Sequence, residues 1–304
     1  MSAWALAEVV AKILLLVGVG VALRMSGLLP RSASGTLNTL LIWVAIPALV
    51  WTAIRPAQLT WALVGIIGVA WVVALAGIAV AWVLGRYAFH LPRPTLGAFM
   101  LVAGLGNTGY IGYPVTVALF GQAGLSRAVF YDVFGTVGVL LTVGLLVAHR
   151  FGDHADDVNP WREVLGFPVL LVAIAAILLK PVPIPILVSD GIDALAKMTV
   201  PLIMISLGLT LDFSKVRSHA TLATVAGAIK LVALPLLAWG LALVVLRDPL
   251  PVRVTVLEAG MPSMMLVLVV AARFGLDADF TASAIMLTTA ASIVTLPLLM
   301  LVIR

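Results

Sequence analysis

Ten stretches of this chain are each about twenty residues long and almost wholly apolar, and that pattern leaves few folds open to it. They run roughly over 4 to 23, 36 to 54, 60 to 84, 95 to 118, 127 to 148, 161 to 179, 189 to 209, 219 to 246, 252 to 272 and 279 to 303. A helix of that length crosses the hydrocarbon core of a bilayer. Lipid offers no partner for backbone N–H and C=O groups, so the chain is expected to fold as an all-α polytopic membrane protein. The composition agrees: 10% of the residues are charged and 63% hydrophobic, where a soluble domain carries about 25% charged. With no cysteine, disulfides, thiolate metal sites and a cysteine nucleophile are excluded. The net charge of +5 is spread over loop arginines without a polybasic block, which speaks for membrane topology and against a nucleic-acid partner. The N-terminus lacks a basic n-region and a small-residue cleavage site, so it reads as a first span rather than a signal peptide.

The hydrophilic linker RFGDHADDVNP, Arg150 to Pro160, falls between spans five and six. It divides the chain into a first five-helix repeat over 1–150, a linker over 151–160 and a second repeat over 161–304. Five is odd, so the second half enters the membrane from the opposite face, as in an inverted repeat. Prolines recur at matching offsets: Pro47 in span two and Pro201 in span seven lie 154 positions apart, Pro114 in span four and Pro262 in span nine 148 apart. Nine basic residues (Arg24, Arg31, Arg86, Arg93, Arg150, Arg162, Lys215, Arg217 and Arg273) fall on the face holding the linker. Six (Arg55, Arg127, Lys180, Arg247, Arg253 and Arg304) fall on the other, a bias that places the linker in the cytoplasm and both termini outside.

Two spans carry breaks. GNTGYIGYP, Gly106 to Pro114, interrupts span four, and LEAGMPSMM, with Pro262, interrupts span nine. Broken helices at corresponding positions of two inverted halves point to a transporter's substrate site, because half-helix ends present unpaired N–H and C=O groups at mid-membrane. Gly106, Gly109 and Gly112 are expected to allow close backbone crossing and unusual dihedrals, and Pro114 lacks the N–H of a continuous helix. Asn107, which donates and accepts, suits a carboxylate, a cation or a free helix end. The candidate substrate-binding residues are Asn107, Thr108, Gly109, Pro114, Pro262 and Lys230, the deepest cation of span eight. Glu258, four residues before Pro262, is the candidate site for a coupling Na⁺ or proton, with Asn107 and Ser263 as neighbours; the rival reading is a structural ion pair or a helix end reaching the outer interface, and for Lys230 a lysine paired with a neighbouring helix's carbonyls.

Other charges carry less. Glu8 with Lys12, and Asp193 with Lys197, are spaced i,i+4 and are expected to neutralise each other on one helix face. Asp132 is expected to be an interfacial or supporting group near the start of span five. With Tyr131 it also suggests an intramembrane aspartyl protease, which needs two carboxylates sharing a proton, and the sequence has no second deep aspartate in the usual glycine context. His90, His149, His154 and His219 lie in or beside loops and form no metal constellation.

AGLGNTGYIGYPVTVALFG in span four, the run from Leu257 across spans nine and ten, LNTLLIWVAIPALVW from Leu37 to Trp51 and MISLGL from Met204 to Leu209 together resemble the auxin efflux carrier family. That family includes plant PIN proteins and bacterial malonate and malate permeases. The resemblance implies ten helices with spans four and nine crossing at their prolines, a fold similar to bile-acid/Na⁺ symporters and Na⁺/H⁺ antiporters. It also implies a scaffold of spans 1, 2, 6 and 7, a moving transport domain of spans 3 to 5 and 8 to 10, and a homodimer. Carried over, Asn107 and Pro114 match the span-four crossover and Pro262 that of span nine, while Glu258 falls where the bile-acid relatives place cation-binding carboxylates. The chain lacks the plant carriers' long central loop, and GNTGY stands where they have an NPNTY-like segment, which argues against auxin itself as the substrate. The expectation is a secondary transporter of a small organic anion in the cytoplasmic membrane, Na⁺- or H⁺-coupled and without a cofactor. The alternatives are an uncoupled, potential-driven uniporter and a non-transporting sensor.

Overall fold

In a computed structural model, residues 15–30, 32–153, 167–210 and 219–303 are described, and among them every regular element is a helix. In chain order these are α1 (Leu15–Met25), α2 (Ala33–Ile54), α3 (Trp61–Ala88), α4 (Arg93–Gly104), α5 (Thr108–Phe151), α6 (Pro168–Leu178), α7 (Ile186–Thr210), α8 (Ala220–Val245), α9 (Pro249–Ala259), α10 (Leu266–Phe274) and α11 (Ala278–Val302). Six of them, α2, α3, α5, α7, α8 and α11, are long and apolar enough to cross a membrane. At ~1.5 Å per residue the 44 residues of α5 would reach ~66 Å, twice a bilayer core. The path turns instead at Gly121, whose φ of 62° and ψ of −158° only glycine adopts readily. Glu8, Lys12, His154 and most of the linker lie outside the described residues.

Several helices widen into π-helical turns, and three of these begin six residues before a proline: Leu41–Ala45 before Pro47, Thr108–Gly112 before Pro114 and Ile229–Ala233 before Pro235. A proline cannot donate to the preceding turn. The wider turn keeps the neighbouring donors bonded, as where Ile46 N–H reaches back five residues to Leu41 O.

The described residues form two compact units. The first takes those within Met1–Leu59, Tyr113–Val129 and Leu165–Leu211, and so holds α1, α2, α6, α7 and the middle of α5. Here α2 packs on α6 and α7. The α1 and α7 backbones touch at a glycine pair, since a Cβ on Gly208 would stand 2.9 Å from Gly20 Cα. Thr199 Oγ1 donates to Ala45 O at 2.8 Å and Ser206 Oγ to Asn38 Oδ1 at 2.8 Å. Ser126 Oγ donates to Ala53 O at 2.8 Å, and Arg55 to Leu179 O at 2.8 Å. Asp193 and Lys197 form no ion pair with each other; both are exposed and line a cavity of about 460 Å³ between α2, α5 and α7.

The second unit takes the described residues within Thr60–Gly112, Phe130–Val164 and Asp212–Arg304, and so holds α3, α4, both ends of α5, and α8 to α11. α3 packs on α4, α8 and the second leg of α5, with Gly77 set against Gly104 so closely that a Cβ would stand 2.8 Å from Gly104 Cα. Trp71 Nε1 donates to Phe134 O at 2.8 Å. Asp277 caps α11 by accepting Phe280 N–H at 2.9 Å, and its other oxygen accepts Thr95 Oγ1 at 2.8 Å. The groups singled out by the two sequence breaks, Pro114 apart, all belong to this unit.

Candidate functional site

α4 ends at Gly104, Leu105 is extended (φ −103°, ψ 129°), and the helix resumes at Thr108. α9 ends at Ala259 and resumes as α10 at Leu266. Each break leaves backbone groups that lipid cannot satisfy, and the two breaks satisfy one another. Asn107 N–H donates to Pro262 O at 2.7 Å and Met264 N–H to Leu105 O at 3.0 Å, with Gly106 and Ser263 paired in antiparallel register between them. Side chains take further helix-end carbonyls: Ser263 Oγ donates to Val102 O at 2.7 Å, and Lys230 Nζ to Ala259 O at 2.6 Å. Ser263 N–H donates to Thr288 Oγ1 at 3.2 Å.

The break in span four is therefore at Leu105–Asn107 and not at Pro114, which sits within α5, in its first unit's portion, after a π-helical turn. Pro262 does lie in its break and contributes its carbonyl. The glycines meet the expectation in part: Gly106 lies where the two backbones come together, paired with Ser263, but the unusual dihedrals are absent. None of Gly106, Gly109 and Gly112 has a positive φ. Each instead leaves room for one buried charged side chain. A Cβ at Gly106 would stand 3.0 Å from Lys230 Cε, one at Gly109 3.1 Å from Asp132 Oδ2, and one at Gly112 would overlap the Glu258 carboxylate. The triplet is a set of sockets for a lysine, an aspartate and a glutamate.

All three side chains are buried, at 2%, 4% and 0% exposure for Lys230, Asp132 and Glu258. Of the two places expected for Asp132, the supporting one agrees with the structure and the interfacial one does not: its Oδ1 accepts the Thr108 hydroxyl at 2.5 Å. Placing it near the interface assumed that span five starts at Arg127, whereas the leg starts after Gly121, which puts Asp132 about 15 Å along it. Asn107 is 3% exposed and its side-chain nitrogen has no hydrogen-bond partner. Thr255 Oγ1, one helical turn before Glu258, is likewise buried without a partner. Thr255 and Thr288 are site groups that sequence reasoning missed; the i,i+3 spacing of Thr255 to Glu258 was the available signal. A buried amide nitrogen without a partner, on a residue of a helix break, is a donor with its hydrogen bonds still to make.

Residues 5–156 and 157–300 match the family described as membrane transport protein. The chain belongs to this family, that of the auxin efflux carriers. It is 36% identical over 296 residues to an uncharacterized transporter of Methanothermobacter thermautotrophicus, covering 96% of each chain. To an uncharacterized transporter of Methanocaldococcus jannaschii it is 32% identical over 299 residues, again covering 96% of each. A protein of Rhizobium meliloti named "Putative malonate transporter" is 26% identical over 291 residues, covering 90% of this chain and 88% of its own. The family and these relatives are transporters and not enzymes, so the protease reading falls, and the protein is a multi-pass membrane transporter.

Proposed function

We propose that this carrier moves a small organic anion across the cytoplasmic membrane by alternating access, binding it where the two breaks meet. The observation that carries the proposal is the buried Asn107 amide nitrogen without a partner, beside the N-terminal end of the resumed α5. Helix N-termini favour negative charge, and Asn107 together with the backbone at Thr108 and Gly109 can receive a carboxylate, with Lys230 adding positive potential. The name of the Rhizobium meliloti relative makes dicarboxylates such as malonate the first compounds to test.

The architecture proposed with it is ten spans in a 5+5 inverted repeat with spans four and nine crossing, both termini outside, and a homodimer. Two contacts favour the repeat. The breaks exchange one backbone bond in each direction, and Thr199 and Ala45, each two residues before its proline, join across the 154-residue offset. The described parts of spans one, two, six and seven, proposed as scaffold, fall in one compact unit, which also takes in residues 113–129 of spans four and five.

Glu258 is the candidate coupling group, for Na⁺ or a proton, with Ser263 and Asn107 near it along the breaks. The second reading, uncoupled uniport, is favoured by a specific observation: an ammonium, Lys230 Nζ, already occupies the carbonyl next to Glu258. Charge movement in proteoliposomes tests the proposal, with malonate, malate, succinate and indole-3-acetate, each with and without Na⁺ and at two pH values. A transient for at least one anion that Asn107→Ala removes is expected; a transient of unchanged affinity in Asn107→Ala would sink the site assignment.

A further inference from the structure

A helix that ends inside a membrane exposes its last carbonyls, and in secondary transporters such carbonyls, with a nearby carboxylate, are the usual ligands of a coupling Na⁺. The end of α9 offers such a carbonyl: Ala259 O is its last, and the preceding residue is the fully buried Glu258. Lys230 Nζ lies on that carbonyl at 2.6 Å. The lysine reaches this point because Gly106 has no side chain. The position a Gly106 Cβ would take is 3.2 Å from Lys230 Nζ, so the ammonium tip that holds the end of α9 also lies beside the Gly106 backbone of the other break. An ammonium is a compact point charge with three donors, and like Na⁺ it seeks hard oxygen.

We infer that the Lys230 ammonium is a tethered cation that takes the place of a free Na⁺ at the end of α9. The carrier then needs no Na⁺, and removing the side chain opens a site for a monovalent cation. The inference deepens the proposed transport reading and rests on it for the role of the site, but the cation site itself is read without any organic anion. A lysine that serves only to cap a carbonyl makes a different prediction: an uncharged donor then suffices, and no cation response appears when the charge is removed.

The test uses the full chain purified in detergent. Its thermal midpoint is followed as NaCl or methylammonium chloride is added, with choline chloride at equal ionic strength as control. The wild type is expected to show no shift beyond choline. Lys230→Ala is expected to have a lowered midpoint that Na⁺ or methylammonium restores saturably by at least half, and the double variant Lys230→Ala, Glu258→Gln to lose that response. A saturable Na⁺-specific shift in the wild type overturns the inference, as does a folded Lys230→Ala protein indifferent to both cations. If Lys230→Ala does not fold, Lys230→Gln is measured in its place, and a stable protein without a cation response overturns the inference. Failure of the transport reading shows separately, as wild-type protein that no organic anion in the panel stabilises or drives.

Discussion

Pro47 and Pro201 sit inside helices that run on without interruption, whereas Pro262 sits in a complete break, and the matching break in α4–α5 contains no proline at all. A proline alone does not break a membrane helix, because neighbouring turns rearrange around the missing donor, as the π-helical turn before Pro47 does. What permits a break is a partner for the freed backbone. Leu105–Asn107 and Pro262–Met264 are each other's partner, and neither would be tolerated alone in lipid.

The largest effect that sharpens this comparison is expected at a socket rather than at a proline. Gly112→Val pushes a side chain into the Glu258 carboxylate and displaces a buried charge, a loss of about 3–5 kcal/mol. Its thermal midpoint in detergent should fall by roughly 10 °C; a midpoint like that of the wild type would mean that the glycine is not a socket. Next comes Asn107→Ala. Losing its donor should weaken the responding anion about tenfold to a hundredfold by isothermal titration. Stability should be unchanged, because the amide nitrogen that is removed bonds nothing in the protein.

Ser263→Ala strips the donor from Val102 O and should cost about 1–3 kcal/mol, read as a lower thermal midpoint, with Ser263→Thr recovering part of it. The smallest changes are expected where proline lies in an unbroken helix: Pro47→Ala and Pro201→Ala should each shift stability by less than about 1 kcal/mol. If either lowered the midpoint as far as Ser263→Ala does, the contrast between prolines that helices absorb and breaks that pair would collapse.

The glycines were visible in the sequence, but their purpose was not. Spacing by three marks Gly106, Gly109 and Gly112 as one face, yet the charges that need the space come from α5, α8 and α9, between twenty and 150 positions away. Asn107, Lys230, Glu258, Pro262 and Ser263 were legible as candidates because polar or helix-breaking residues in apolar spans are few and costly. Asp132 stayed open between an interfacial and a supporting place because hydropathy does not locate the start of a leg that only the turn at Gly121 defines.

By itself the sequence determined that this chain is a helical membrane protein with interruptions in two of its spans, and that a handful of polar groups lie within them. Those conclusions need only the length of an apolar run and the high cost of an unsatisfied polar group in lipid. The tertiary structure decided which break satisfies which, that Lys230, Asp132 and Glu258 each fit over a glycine, and that Asn107 keeps its side-chain nitrogen without a partner. These are contacts between segments far apart in the chain, and a local apolar pattern, nearly uniform around each helix, holds no record of which face meets which neighbour.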